Sequence, residues 1–364
     1  MSPDAERTVR SLGIERAGEP FYTAYREGPA GPGEVRLDLR FTGLSAGTEL
    51  TFLKGTNPYL HARWDEASGV FEPGEPSAHY PVPFLGYMEA AEVIASDAPA
   101  FAPGAVVATT FGHKTGHTAN PTHDLLVPLP PDLDPLLGVF VAQMGPIAAN
   151  GILHADAEAG VPAGSPLGAG IAGRPVVVWG GGTVGLFAAL FARRAGAAVL
   201  LAEPSPWRRE IAARLGFDAL PEEDAWREAK RRWHDGAGRG ADVVLQTRAR
   251  ADSLHMAMNA LRPQGTVIDL AFYQGGADSL RLGEAFHHNG LALRCAQISR
   301  VPRGFAPLWD RRRLAAETVA LLRTDGPAIR QHLVTHVVPF DEGADFLRRL
   351  PVERPDFLQV VFAR

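Results

Sequence analysis

The feature that most constrains the fold of this chain is a glycine-rich hexapeptide between an apolar run and an amphipathic segment. Residues 180–185 read Gly-Gly-Gly-Thr-Val-Gly and match the spacing G-x-G-x-x-G. The continuous apolar run at 174–179 is typical of a buried parallel strand, and residues 184–195 have helical periodicity. A second apolar run at 198–202 completes a strand–helix–strand unit. In that context the hexapeptide predicts a dinucleotide-binding turn.

Each glycine of the motif has its own expected role. Gly180 permits the tight turn, Gly182 lets the pyrophosphate approach the backbone, and Gly185 lets the helix pack close to the strand. The helix that starts at Thr183 and Val184 offers free N–H groups and a positive dipole end to the phosphates. Three residues further along the chain complete the expected cofactor-binding set: Thr247, Ala271 and Phe272.

The end of the second predicted strand indicates which dinucleotide binds. Glu203 lies at that end, where a carboxylate accepts both ribose hydroxyls of the adenosine half and repels a 2′-phosphate. Arg208 and Arg209 follow about one turn later and would favour a phosphate instead. We include Arg208 in the expected cofactor set. The sequence therefore predicts NAD, with NADP as the less favoured alternative.

Composition and charge exclude several classes of protein. The 364 residues suffice for two domains, and 46% hydrophobic with 21% charged residues is typical of globular proteins. A net charge of −5 gives no reason to expect nucleic acid, and no apolar run suggests a membrane span. The N-terminus lacks a signal-peptide core, so we expect a cytoplasmic protein. Cys295 is the single cysteine, which excludes an intramolecular disulfide and a multi-thiolate metal site.

The pattern of predicted elements divides the chain into two domains. Residues 1–143 read as mostly β and include a long loop at 57–80, whose aromatic residues favour an ordered flap. Residues 144–298 alternate strands and helices, which predicts a doubly wound, mostly parallel Rossmann sheet. Residues 299–364 contain a predicted helix at 311–322 and two strands that we expect to return to the first domain.

Three motifs carry a resemblance to a known family. Residues 43–49, Gly-Leu-Ser-Ala-Gly-Thr-Glu, stand where zinc alcohol dehydrogenases carry G-I-C-G-T-D. Residues 86–93 stand where they carry G-H-E-x-x-G-x-V, and residues 261–267 resemble a late loop and strand of their cofactor domain. With the dinucleotide motif, nearly the whole chain resembles the medium-chain dehydrogenase/reductase superfamily. The resemblance implies an α/β fold in which both chain ends, 1–143 and 299–364, form a GroES-like catalytic domain.

The chain departs from the superfamily's pattern at the zinc site. Ala46 replaces the cysteine ligand, Tyr87 the histidine, Met88 the adjoining glutamate, and Gln143 the third ligand in our alignment. Alanine and methionine cannot supply a tetrahedral zinc site. The motifs around residues 45–49, 86–87, 297–302 and 309–310 are more similar to zinc-lacking members, such as bacteriochlorophyllide a dehydrogenase and its relatives. We therefore predict an enzyme without zinc.

Without a metal, side chains must move the substrate proton and stabilise the oxygen that gains charge. Thr48 keeps the hydroxyl of the family's proton relay, and the Tyr87 phenol either reaches the vacated metal position or only fills it. His113, in a histidine-rich segment at 111–123, is the expected relay to solvent. His113 and His117 have the spacing of a helical metal pair, but Gly112 and Gly116 argue against a helix and favour a surface loop.

The predicted function is hydride transfer between a nicotinamide cofactor and a small molecule, the secondary alcohol or ketone of a ring or polyol substrate. Two other interpretations stay open: a zinc-free enone or quinone reductase, and an inactive dinucleotide-binding protein. No nucleic acid or membrane partner is expected. The strand at 291–296 lies where family members pair edge strands, so we expect a homodimer.

Overall fold

The computed structural model describes residues 5–236, 238–353 and 355–364. The chain divides into two compact units, of which the first holds the described residues up to Ala142 together with Val334–Arg364. The second unit is Gln143–Leu333. In the described part of the chain, none of the helices has the length and apolarity needed to cross a bilayer.

The strands and helices are numbered in chain order. The strands are β1 (Arg7–Arg16), β2 (Glu19–Glu27), β3 (Val35–Gly43), β4 (Arg63–Asp65), β5 (Val70–Glu72), β6 (Glu89–Ser96), β7 (Val106–Thr109), β8 (Gly116–Ala119), β9 (Val127–Pro128), β10 (Pro175–Trp179), β11 (Ala198–Ala202), β12 (Asp218–Leu220), β13 (His234–Asp235), β14 (Gly238–Arg239), β15 (Ala241–Gln246), β16 (Leu261–Asp269), β17 (Ala292–Cys295), β18 (Val334–Pro339) and β19 (Gln359–Ala363). The α-helices are α1 (Glu49–Lys54), α2 (Met144–Glu158), α3 (Thr183–Arg194), α4 (Pro206–Arg214), α5 (Glu222–Arg232), α6 (Ala251–Asn259), α7 (Arg311–His332) and α8 (Gly343–Glu353).

The second unit contains the predicted doubly wound sheet. Within its described residues, β12, β11, β10, β15, β16 and β17 lie side by side in this order, and all of them pair parallel. The chain therefore starts in the middle of the sheet, builds outward to β12, and then returns to build β15–β17 on the other side. This strand order creates a topological switch point between β10 and β15, where such sheets bind ligands at the carboxyl ends of their strands.

The first unit is β-rich and joins both ends of the chain, as predicted. Its main sheet has the order β18-β19-β3-β6-β7-β9, and β8 also pairs with β3. The C-terminal strand β19 runs antiparallel to β3, with Val361 opposite Gly43. Side chains of β1, α8 and β19 share one core, in which Leu12, Leu347 and Phe362 are fully buried. The α/β fold class is thus confirmed.

One predicted boundary differs from the structure. We expected residues 299–364 to return to the first domain, but those up to Leu333 belong to the second unit. The cause is the packing of α7 on α2, which is so close that a Cβ on Gly145 would lie 2.1 Å from Thr318 Cγ2. In addition, Trp309 Nε1 donates a 2.8 Å hydrogen bond to the carbonyl of Ala163.

The long loop at 57–80 contains regular structure. It begins with a 3-10 turn at Pro58–Leu60 and continues into the β4–β5 hairpin, which pairs Trp64 with Phe71. The Trp64 and Phe71 rings lie 4.9 Å apart, and the Tyr59 ring lies 5.4 Å from that of Phe71. The aromatic residues therefore order this segment as a flap, as the sequence suggested.

Candidate functional site

The glycine-rich turn has the geometry that the motif predicts. Gly180 adopts a φ of +106°, which residues with a side chain rarely reach. A Cβ on Gly185 would lie 1.8 Å from the carbonyl oxygen of Gly180, so only glycine lets α3 start this close to β10. At Gly182, by contrast, the nearest atom to such a Cβ would be Arg208 Nη1 at 3.9 Å. The backbone is therefore open at Gly182, at the N-terminus of the helix that begins at Thr183.

Thr247 closes the turn from the neighbouring strand. It follows β15 directly, and its backbone N–H donates to the carbonyl of Trp179 at 2.9 Å. Its hydroxyl donates to the same carbonyl, also at 2.9 Å. Thr247 thus sits at the switch point, beside the glycines with which the sequence grouped it.

Glu203 is buried and braces the turn. The side chain is 2% exposed; Oε2 accepts a 2.7 Å hydrogen bond from Gly181 N, and Oε1 accepts one of 2.8 Å from Ser205 N. A carboxylate offers about four lone-pair positions, so these two bonds leave acceptor capacity for ribose hydroxyls. Arg209 donates to the backbone carbonyls of Glu203 and Pro204, and these bonds hold its guanidinium against the loop.

Ala271 and Phe272 lie beyond the end of their strand. Strand β16 ends at Asp269, two residues before Ala271. The Ala271 N–H donates to Asp269 Oδ1 at 2.9 Å, which turns the chain away from the sheet and leaves Phe272 40% exposed. Both residues thus follow the carboxyl end of a parallel strand, the edge at which a dinucleotide binds.

In the first unit, the hydroxyl groups of Thr48 and Tyr87, both expected to take part in catalysis, lie beside that of Ser45. The Tyr87 phenol shares a hydrogen bond with Ser45 Oγ, and the Thr48 side chain lies close enough to lower the pKa of the phenol. Burial, followed by the nearby charge of Glu49, raises the pKa of Tyr87 to about 12, although the contacts with Ser45 and Thr48 lower it. Tyr87 is therefore a neutral hydrogen-bond donor at physiological pH.

His113 lies in a different environment from the one that the sequence suggested. We expected a surface loop and a relay to solvent, but the side chain is fully buried. The cause is backbone pairing: His113 N donates to the carbonyl of Leu85 at 2.7 Å, and Leu12 N donates to the carbonyl of His113 at 2.9 Å. Its burial removes the role of relay to solvent. His117 is on strand β8, so the two histidines do not share a helix.

Glu49 connects these two groups of residues. Its Oε2 lies 2.7 Å from His113 Nε2, and its Oε1 accepts a 3.0 Å hydrogen bond from Ser45 N. The sequence did not indicate the bond from Glu49 to His113. Ser45 was missed as a site residue, although a hydroxyl next to the vacated cysteine position, Ala46, was the available signal.

The side chains at the family's zinc positions do not fit zinc. Ala46 is exposed and has no donor atom, and the Tyr87 phenol bonds to Ser45. In the second unit, the Gln143 side-chain oxygen accepts a hydrogen bond from Arg311. Among the described residues, no cluster of three or more histidine, cysteine or acidic side chains is arranged to hold a metal. The donor chemistry therefore disagrees with a zinc site of the family type.

Comparisons with known proteins agree with the dinucleotide-binding geometry of the second unit. The family model described as "Zinc-binding dehydrogenase" matches residues 183–309. D-guloside 3-dehydrogenase of Escherichia coli (strain K12) is 25% identical over 333 residues, which cover 89% of this chain and 90% of that enzyme. The structure of 2R,3R-butanediol dehydrogenase from Bacillus subtilis superposes with a TM-score of 0.72 at 16% identity, over 98% of this chain and 99% of that one. Residues 183–309 thus match a zinc-binding dehydrogenase family, and nearly the whole chain is similar to dehydrogenases of the medium-chain type.

The assignment makes the chain a dehydrogenase of the medium-chain type, with a nicotinamide cofactor. A further superfamily structure, from Sinorhizobium meliloti 1021, was solved bound to NADP; it has a TM-score of 0.68 at 19% identity and covers 98% of this chain and all of that one (100%). In this chain the glycine turn, Thr247 and Glu203 would hold the dinucleotide, and the open backbone at Gly182 fits a pyrophosphate.

Proposed function

We propose that this dehydrogenase transfers hydride between NAD and a secondary alcohol of a ring or polyol substrate, without zinc. The observation that carries the proposal is the hydroxyl cluster of Ser45, Thr48 and Tyr87. By the family resemblance, Tyr87 stands at a zinc-ligand position and Thr48 at the proton-relay position, and Ser45 precedes the vacated cysteine position. Bound NAD would supply the hydride acceptor, so the protein has only to handle the hydroxyl proton and the charge on oxygen.

The neutral phenol of Tyr87 suits the second of these tasks. As the carbon–hydrogen bond breaks, negative charge develops on the substrate oxygen, and a preorganised O–H donor stabilises that charge. The Thr48 and Ser45 hydroxyls each donate one hydrogen and accept others, so they can pass the alcohol proton along. His113 and Glu49 are too deeply buried to contact substrate from solvent.

Two observations support a ring or polyol substrate. Relatives of similar architecture are named as dehydrogenases of a guloside and of butanediol, which are alcohols rather than enones. The flap also exposes aromatic surface: Phe71 is 45% and Tyr59 37% exposed. Aromatic faces of this kind cover the apolar side of a sugar ring while leaving its hydroxyls to polar groups.

Glu203 supports NAD as the preferred cofactor, because its remaining acceptor positions suit ribose hydroxyls and its charge opposes a 2′-phosphate. We also propose a homodimer formed through β17. This strand is the edge of its sheet, and Leu293 on it is 42% exposed. An edge strand with apolar side chains presents unpaired backbone groups to a second copy.

A chelation experiment tests the zinc-free alcohol dehydrogenase. The purified protein is dialysed against EDTA and assayed for NADH formation with methyl D-guloside and with 2R,3R-butanediol. We expect turnover of at least one alcohol, unchanged by dialysis, and less than about 0.1 zinc per chain by elemental analysis. Activity that disappears on dialysis and returns with zinc would overturn zinc independence. Reduction of a quinone by NADPH without any alcohol turnover would favour the reductase instead.

A further inference from the structure

A buried chain of hydrogen bonds lies behind the hydroxyl cluster of the first unit. Glu49 is 2% exposed, and His113 and Thr42 are fully buried. The chain runs from Ser45 N to Glu49, from Glu49 to His113 Nε2, and from His113 Nδ1 to Thr42 Oγ1 at 2.8 Å. Within this network, only Ser45 forms a hydrogen bond with Tyr87, although the charge of Glu49 also acts on the phenol.

The contacts of both ring nitrogens of His113 are compatible with a charged imidazole. Thr42 has one hydroxyl hydrogen and donates it to the carbonyl of Met88 at 3.0 Å. With this hydrogen on Met88, the Thr42 oxygen is free to accept from His113 Nδ1 at 2.8 Å. The other ring nitrogen lies 2.7 Å from Glu49 Oε2. An imidazolium paired with a carboxylate satisfies both contacts.

We propose that Glu49 and His113 form a buried ion pair that positions the Ser45–Tyr87 hydroxyl pair for the reaction. The pair is a positioning device and does not itself exchange protons with substrate. This inference rests on the proposed function for its catalytic meaning, but the ion pair and its effect on Tyr87 can be observed without any substrate.

The pair acts on both partners of the hydroxyl bond. On one side, Glu49 Oε1 holds the backbone of Ser45. On the other side, the imidazole packs against Gly86, the residue before Tyr87: a Cβ on Gly86 would lie 3.0 Å from His113 Nδ1. Gly86 also has a φ of +93°, which favours glycine. Both hydroxyl-bearing segments are therefore set by the same two buried side chains.

Loss of either charge should disturb this arrangement. A buried ion left without its partner is strongly unfavourable, so the remaining group changes its protonation or the segment shifts. In Glu49→Gln, the amide oxygen can accept a hydrogen bond from only one of Ser45 N and His113 Nε2. The amide nitrogen is a donor, so it cannot accept from the remaining group. One of the two hydrogen bonds made by residue 49 is then lost. His113 also loses the negative charge that stabilises an imidazolium.

Nuclear magnetic resonance of the full chain tests the ion pair directly. With ¹⁵N-histidine labelling, His113→Gln assigns the His113 signals among the 12 histidines. We expect both ring nitrogens to be protonated at pH 7.5 in the wild type, and the ring to be neutral in Glu49→Gln. A neutral His113 in the wild type would overturn the proposal, and this measurement needs no Glu49 variant to fold.

The second arm follows Tyr87 by ¹³Cζ-tyrosine labelling, with Tyr87→Phe assigning its signal among the 6 tyrosines. We expect the Tyr87 signal in Glu49→Gln to move toward its position in Ser45→Ala. If Glu49→Gln does not fold, Glu49→Asp is the second variant. Its side chain keeps the charge but is too short to reach both Ser45 N and His113. We then expect the Tyr87 signal to move while His113 stays charged. A Tyr87 signal that stays at its wild-type position in a folded Glu49 variant would overturn the positioning role.

Asp156→Asn is the matched control. Asp156 is also a buried carboxylate that accepts two backbone N–H bonds, both of 2.7 Å, but it lies in the second unit. Asp156→Asn should lower thermal stability while leaving the His113 and Tyr87 signals unchanged.

The kinetic arm uses methyl D-guloside and NAD. Glu49→Gln should lower kcat about tenfold in the wild-type background and leave kcat unchanged in the Ser45→Ala background. An equal loss in both backgrounds would contradict positioning through Ser45, whereas full activity of Ser45→Ala and Tyr87→Phe would refute only the proposed function.

Discussion

The glycine turn gives a specific prediction, because alanine substitutions at two of its glycines should have different effects. A Cβ on Gly185 would lie 1.8 Å from the carbonyl oxygen of Gly180, against about 3.4 Å for ordinary contact. In Gly185→Ala, helix and turn must separate by about 1.6 Å, and overpacking of this kind costs about 1–3 kcal/mol. For a unit of this size, Tm of the free protein should fall by roughly 2–12 °C.

Gly182→Ala should leave the free protein intact. Gly182 has φ −78° and ψ 179°, which any residue adopts, and its nearest neighbour lies 3.9 Å from the new methyl. The methyl occupies the open backbone where the pyrophosphate would approach, so NAD affinity should fall at least about tenfold. Calorimetry of the free variants and isothermal titration with NAD measure the two effects. Wild-type NAD affinity in Gly182→Ala, or wild-type Tm in Gly185→Ala, would refute the assigned roles.

Three further predictions concern the cofactor, pH and assembly. Isothermal titration should show tighter binding of NAD than of NADP, and Glu203→Ala should narrow the difference; equal affinities in the wild type would remove the argument from Glu203. Burial raises the pKa of Glu89 from the ordinary 4.5 to about 7, so the folded state favours the protonated carboxyl and loses stability as pH rises between these values. Glu89→Gln should therefore gain Tm relative to the wild type from pH 5 to pH 8, and a constant difference would contradict this. Light scattering at micromolar concentration should give twice the 39.0 kDa chain mass, and a monomer mass would refute the dimer through β17.

The parts of the fold that the sequence predicted well depend on local signals. Strands β10 and β11 are continuous apolar runs, because both faces of a parallel sheet are covered. The end of α7 was not predictable in this way. Thr324-Asp325-Gly326-Pro327 has the composition of a turn, yet the helix continues to His332. Packing of its buried side chains, among them Ile329, overrides the local preference.

The same distinction separates the two parts of the candidate site. The glycine turn is contiguous in sequence, so spacing alone predicted it. The partnership of Glu49 and His113 joins residues 64 positions apart and depends on how the segment before β8 packs beside β3. No periodicity or motif in the sequence encodes that pairing. Gly112 and Gly116 therefore suggested a surface loop, whereas long-range pairing of the backbone buries His113.

The most direct test of hydroxyl-based catalysis is the kcat of Tyr87→Phe, measured with NAD and methyl D-guloside or 2R,3R-butanediol. The substitution removes one O–H donor and keeps the ring, and loss of one such donor typically costs about 10²–10³ in turnover. We expect kcat to fall by that factor, with NAD affinity unchanged because the glycine turn and Glu203 belong to the other unit. A kcat equal to that of the wild type would show that Tyr87 only fills the vacated zinc position.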